Sequence, residues 1–118
     1  MKNPSQIYLE AHTAGMTAAQ NCTPSAMVVN YVANGEKVRE VVEDGVCGFA
    51  WVKMPNRGKF VNFLKQEQIG RKNEWEGGYH IWIGDFDQSM ERKSSYARAF
   101  SKVLNENGIK ATPHSRMD

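Results

Sequence analysis

Three histidines, two cysteines and one pair of closely spaced aspartates are the residues of this chain best suited to chemistry. His12, His80 and His114 fall on an expected helix, an expected strand and the C-terminal tail. No Cys/His pair stands at ligand spacing, so no metal site is expected. Cys47 lies on an apolar strand with no neighbouring base, the setting of an inert buried thiol, and Cys22 reads as a second reduced thiol. Asp85 and Asp87 flank Phe86 where a strand gives way to a helix. Two carboxylates there can move protons, but a helix cap accounts for one and solvent for the other. No catalytic residues and no cofactor are expected, and the reading leans away from an enzyme.

Binding chemistry has more to work with. A helix N-terminus carrying Gln88 and Ser89 offers free N–H groups to an anion, with Arg57, Lys59, Arg71, Lys72, Arg92 and Lys93 as surrounding cations. With His80 and Trp82 beside it, the junction 80–93 is a candidate nucleotide site. Gly84-Asp85-Phe86-Asp87-Gln88-Ser89 is neither a Walker nor a dinucleotide fingerprint, however, and its two carboxylates repel phosphate. Arg57, Lys59, Lys65, Arg71 and Lys72 near Phe63 and Trp75 imitate a stacking-plus-charge surface for nucleic acid. Glu67, Glu74 and Glu76 are interleaved among them, which describes a solvated mixed face and argues against nucleic acid. Trp51, Trp75 and Trp82 with Tyr79 could line a ligand pocket or a protein interface, although Trp51 and Trp82 sit on apolar strands, where such residues are more often core. Trp75, alone in the polar loop 70–76, is the best single contact residue for a protein partner.

The elements that must position these residues follow from periodicity. Pro4-Ser5 opens a helix bearing Ile7, Tyr8, Ala11, Ala14, Gly15, Ala18 and Ala19, with Ser5 as cap and Pro4 outside. Its small-residue stripe allows close packing on a sheet by default, or on a second copy. The strand 26–32, the turn Asn34-Gly35, the charged strand 37–43, the turn Asp44-Gly45 and the strand 46–54 read as a three-strand antiparallel meander. A helix is expected over 59–69. The strand 79–84 is apolar on both faces, which predicts cover on both sides. Asp85 or Asp87 caps a long amphipathic helix that ends at Asn107-Gly108. A short strand over 109–112 is then stopped by Pro113. This order predicts an α+β class: about five mostly antiparallel strands, two to three helices and a long C-terminal amphipathic helix.

At 118 residues the whole chain, 1–118, reads as one domain. With 41% apolar and 24% charged residues it has the composition of a soluble globular protein, and a net charge of +2 does not by itself name a polyanionic partner. No apolar run is long enough for a membrane, and the N-terminus lacks the core of a signal peptide, so the expectation is a soluble intracellular protein.

Three stretches, Asp44–Val52, Gly77–Phe100 and Gly108–Asp118, resemble small proteins of unknown function encoded by tailed bacteriophages and prophages. The resemblance carries over no catalytic residue. It implies a phage-borne accessory protein in the bacterial host cytoplasm, acting by binding a host or defence protein, with a nucleotide as the alternative ligand. A monomer or a small homo-oligomer is compatible with it.

Overall fold

The chain was described from a computed structural model covering residues 2–22, 27–33, 35–42, 48–84, 86 and 89–117, with 27–33 and 36–42 as backbone alone. The helices are α1 (Pro4–Asn21), α2 (Lys59–Gln66) and α3 (Met90–Glu106). The strands are β1 (Met27–Ala33), β2 (Glu36–Val42), β3 (Gly48–Met54), β4 (Arg71–Lys72), β5 (Tyr79–Trp82) and β6 (Thr112–Met117).

Helix α1 starts two residues earlier than its sequence suggests. Asn3 is the cap: its Oδ1 accepts from the Gln6 N–H at 2.9 Å, and Gln6 Oε1 accepts from the Asn3 N–H at 2.9 Å. Pro4 is therefore the first helical residue, where a missing N–H costs nothing. Ser5, the expected cap, donates its hydroxyl to Asn3 Oδ1. Helix α3 is capped by Ser89, whose Oγ accepts from the Arg92 N–H at 3.3 Å. The expected caps Asp85 and Asp87 precede it and lie outside the described residues.

The expected three-strand meander does not form. β1 and β2 make the hairpin read from Asn34-Gly35, but they stand as a separate two-stranded sheet. Asp44-Gly45 lies outside the described residues. β3 cannot join that hairpin because both its edges are taken, by β5 on one side and β6 on the other. The second sheet is antiparallel with the order β4-β5-β3-β6. Its helical connections interlock: β3-α2-β4 passes over β5, and β5-α3-β6 passes over β3, which is the split β-α-β arrangement. The molecule is thus α+β, with a four-stranded antiparallel sheet, an extra hairpin and three helices among the described residues.

Strand alternation then decides which side of the sheet is core. Gly48, Ala50, Val52 and Met54 of β3 are buried and face the helices, while Phe49, Trp51 and Lys53 alternate with them. Helix α3 lies on β3 and β6, and α1 lies along α3. Tyr96, Ala97, Phe100 and Leu104 of α3 pack with Ile7, Ala11, Ala19, Phe60, Val61, Leu64, Tyr79 and Ile81 in one core. Each of the larger buried side chains contributes about 1.5–3 kcal/mol of transfer free energy. A side chain at Gly48 would come within 2.5 Å of the Arg116 carbonyl and 2.9 Å of Met90, so the glycine lets β6 and α3 approach β3 together.

Two further expectations change here. The helices cover β5 on one face only: Tyr79 and Ile81 point to the core, whereas His80 and Trp82 face away from the helices, with Trp82 38% exposed. The final strand runs through Pro113 to Met117 instead of ending at it. That is tolerated because β6 is an edge strand, where a proline need give up no ladder bond.

Candidate functional site

The side of the sheet away from the helices carries a row of flat rings. Register places Trp82 of β5 opposite Trp51 of β3, and His114 of β6 on the other side of Trp51. Trp51 stacks on Trp82 with centroids 4.6 Å apart and on His114 at 5.6 Å, with interplanar angles of 28° and 13°. His80 lies beside Trp51 at 6.3 Å, nearly parallel to it. Phe49 meets the edge of Trp82 at 6.2 Å, and the Arg116 guanidinium lies 5.3 Å over the Phe49 ring. The row crosses three adjacent strands because antiparallel neighbours put paired residues on the same face at ring-stacking distance.

Next along the sheet beyond Trp82 comes β4, and there the row runs out. A cleft of about 420 Å³ opens at that point, lined by Arg71, Lys72, Asn73, Glu74, Trp75, His80 and Trp82. Its outer wall is the loop between β4 and β5, which the Asn73 side chain shapes. Asn73 Oδ1 accepts from the backbone N–H groups of Trp75 at 2.9 Å and Glu76 at 2.8 Å, and the Asn73 N–H donates to the Gly78 carbonyl at 3.0 Å. Gly77 and Gly78, with φ of 77° and 80°, close the loop in a region that other residues rarely adopt. The indole of Trp75 is thereby held out in solvent, 97% exposed.

Electrostatics at the cleft are mixed, with a basic inner edge. Arg71 pairs across β4–β5 with His80, and Lys72 with Tyr79. Glu76 lies 3.7 Å from Lys53 in a solvent-exposed ion pair of little energetic weight. His80 is only 2% exposed and is held below the usual histidine range, first by burial and then by Lys53 and His114, with Glu76 opposing. It is therefore neutral near pH 7.

Five of the residues singled out in the sequence, Arg71, Lys72, Trp75, His80 and Trp82, thus converge on one cleft. Arg57 sits in the exposed turn between β3 and α2, away from it. Ser89 is buried as the α3 cap, and Asp85 and Gln88 lie outside the described residues. Two of the six cations expected around the α3 N-terminus are turned inward: Arg92 donates to the Ala19 carbonyl at 3.0 Å, and Lys93 to the Gly48 carbonyl at 3.3 Å. The junction 80–93 accordingly divides, with His80 and Trp82 going to the cleft and Ser89 to a cap. Sequence reasoning missed Asn73 and did not place Trp51 or His114 at the site. Trp51 was legible as the strand partner of Trp82 once β3 and β5 are paired, whereas His114 was hidden by reading Pro113 as a stop.

Among the described residues no cluster of His, Cys, Asp or Glu could hold a metal ion, and no helix is long and apolar enough to cross a membrane. Compared with known proteins, the chain matches no family model, no curated protein and no solved structure.

Proposed function

We propose that the protein is a non-enzymatic binding module whose ligand is a nucleotide unit, free or within a single strand, seated in the cleft beside Trp82. One observation carries this reading: the row of stacked rings ends at a cleft whose inner edge is basic. A base placed there continues the row, since every nucleobase has a face that stacks on tryptophan. Its phosphate then falls within the field of Arg71, which shares the face of His80, a charge-assisted partner of the kind a phosphate needs. The cleft volume lies in the range of small-ligand sites. Of the glutamates that argue against nucleic acid in the sequence, Glu67 caps the C-terminus of α2 and Glu74 and Glu76 belong to the β4–β5 loop, whereas Trp51 and Trp82 belong to the central strands β3 and β5.

Calorimetric titration of the wild type, Trp82→Ala and Trp75→Ala with inosine 5′-monophosphate and with a single-stranded oligonucleotide of ~8 nucleotides tests the reading. Loss of one stacking partner costs about 1–3 kcal/mol, so Trp82→Ala should weaken binding about 5- to 150-fold. Comparable affinity for both probes indicates a free nucleotide site. A much tighter oligonucleotide, with affinity falling steeply as salt rises, indicates a single strand. No heat with either probe sinks the proposal.

A second reading rests on Trp75. A large aromatic held 97% exposed by a fixed loop is suited to anchor a protein partner, and the phage resemblance supplies a host or defence protein as its class. Under that reading Trp75→Ala abolishes activity in bacteria expressing the protein, while Trp82→Ala leaves it intact.

A further inference from the structure

Four side-chain polar atoms are buried without a partner among the described residues, and two of them, His80 Nε2 and Trp51 Nε1, belong to adjacent rings at this site. Buried polar atoms of folded proteins are nearly always hydrogen-bonded, so two orphans in neighbouring rings call for a reason. Which chemistry they want depends on the proton of His80. Asn73 determines it. Its Oδ1 is engaged by the Trp75 and Glu76 N–H groups, which turns its amide nitrogen toward His80, with Nδ2 3.3 Å from Nδ1. An amide nitrogen only donates, so His80 Nδ1 must accept and the ring proton sits on Nε2. Both orphans are therefore donors: the indole N–H of Trp51 and the Nε2–H of His80.

From this we infer that His80, positioned by Asn73, is a specificity-determining donor that selects bases carrying a ring carbonyl over bases carrying an amino group at the same place. The inference rests on the nucleotide reading above and deepens it. A carbonyl oxygen has two lone pairs and no hydrogen, so it matches an N–H that no group among the described residues satisfies. An exocyclic amino group presents hydrogen to hydrogen, leaving the buried donor unmade.

Inosine and adenosine 5′-monophosphates are the probes, because they stack alike and differ at one ring edge, oxo against amino. Wild-type protein should bind the inosine nucleotide about tenfold more tightly, the scale of one buried donor made rather than left unpaired. His80→Phe keeps a flat ring beside Trp51 and removes the donor, so the preference should disappear. Asn73→Asp is nearly isosteric and retains the acceptor for the Trp75 and Glu76 N–H groups, but it faces His80 Nδ1 with an acceptor. The ring proton should then move to Nδ1, visible in the imidazole nitrogen chemical shifts, and the preference for inosine should be lost although the fold persists. A wild type that binds both nucleotides equally, or an Asn73→Asp variant that keeps the preference after the proton has moved, overturns the inference while leaving the binding site standing. A wild type that binds neither nucleotide removes the site and the inference with it.

Discussion

Replacing Gly15 by alanine sets two physical effects against each other, and the structure says which wins. Alanine in a helix interior is favoured over glycine by about 1 kcal/mol, so propensity alone expects a more stable protein. In α1, however, the added methyl would lie 2.6, 2.7 and 2.9 Å from Cδ2, Cε2 and Cγ of Tyr96 on α3. That ring has nowhere to go. It is stacked on Phe100 at 5.7 Å, tilted against Phe86 at 5.8 Å, and its hydroxyl lies 2.6 Å from His12 Nδ1. Forcing a methyl into such a contact costs about 1–3 kcal/mol, leaving a net loss of about 1 kcal/mol once the propensity gain is subtracted. Unfolding entropy of about 2.1 cal/mol/K per residue gives about 250 cal/mol/K for the 118 residues. Each kcal/mol therefore moves the Tm by about 4 °C, and Gly15→Ala should lower it by that amount in differential scanning calorimetry. Gly84→Ala is the control. Among the described residues nothing lies within 4 Å of its added methyl and its φ is unremarkable for any residue, so its Tm should hold or rise slightly. If Gly15→Ala instead raises the Tm by the amount propensity alone expects, α1 and α3 are not packed as described.

Other perturbations test other parts of the account. Asn3→Ala removes the side-chain half of the α1 capping box, the acceptor for the Gln6 N–H, and should cost about 1 kcal/mol in urea unfolding; Ser5→Ala should cost much less. Phe100→Ala, at the centre of the core, should cost about 3–5 kcal/mol. Trp75→Ala should change stability by less than about 0.5 kcal/mol, because its side chain is solvated. His80 makes stability depend on pH. Its native value is lowered from 6.5 in the company of Lys53, Glu76, His114 and, across the strand pair, Arg71. Below 6.5 the unfolded chain takes up a proton that the native one refuses, so this contribution is complete above 6.5 and is lost progressively as the pH falls. Urea midpoints on either side of that pH should differ less in His80→Phe than in the wild type.

Much of the fold was legible from local pattern. Three- and four-residue spacing located all three helices, and Asn34-Gly35 located the β1–β2 turn. What local pattern does not contain is which strands pair. A second turn signal at Asp44-Gly45 suggested continuation of the meander, yet β3 finds its partners about thirty and sixty residues further on, in β5 and β6. The functional reading suffered from the same gap. Trp51 and Trp82 look like core residues when each strand is read alone, since an apolar face gives no sign of what covers it. Only the pairing of β3 with β5, and the placement of α3 on the opposite side, turns them into neighbours on the face away from the helices. Trp75 was recognisable earlier because its context is local: one indole among charged residues in a glycine-closed loop. The role of Asn73 depends on where its two amide atoms point, which no spacing rule conveys.

The central claim is that a base extends the ring row at Trp82, and the indole N–H region of a nitrogen–proton correlation spectrum tests it most directly. The three tryptophans give three reporters: Trp51 within the row, Trp82 at its end and Trp75 on the outer loop. Titration with inosine 5′-monophosphate should move the Trp82 resonance most, through the ring current of the stacked base, with Trp51 following at the same midpoint. A shift confined to Trp75, or three resonances that stay in place at saturating nucleotide, would contradict it.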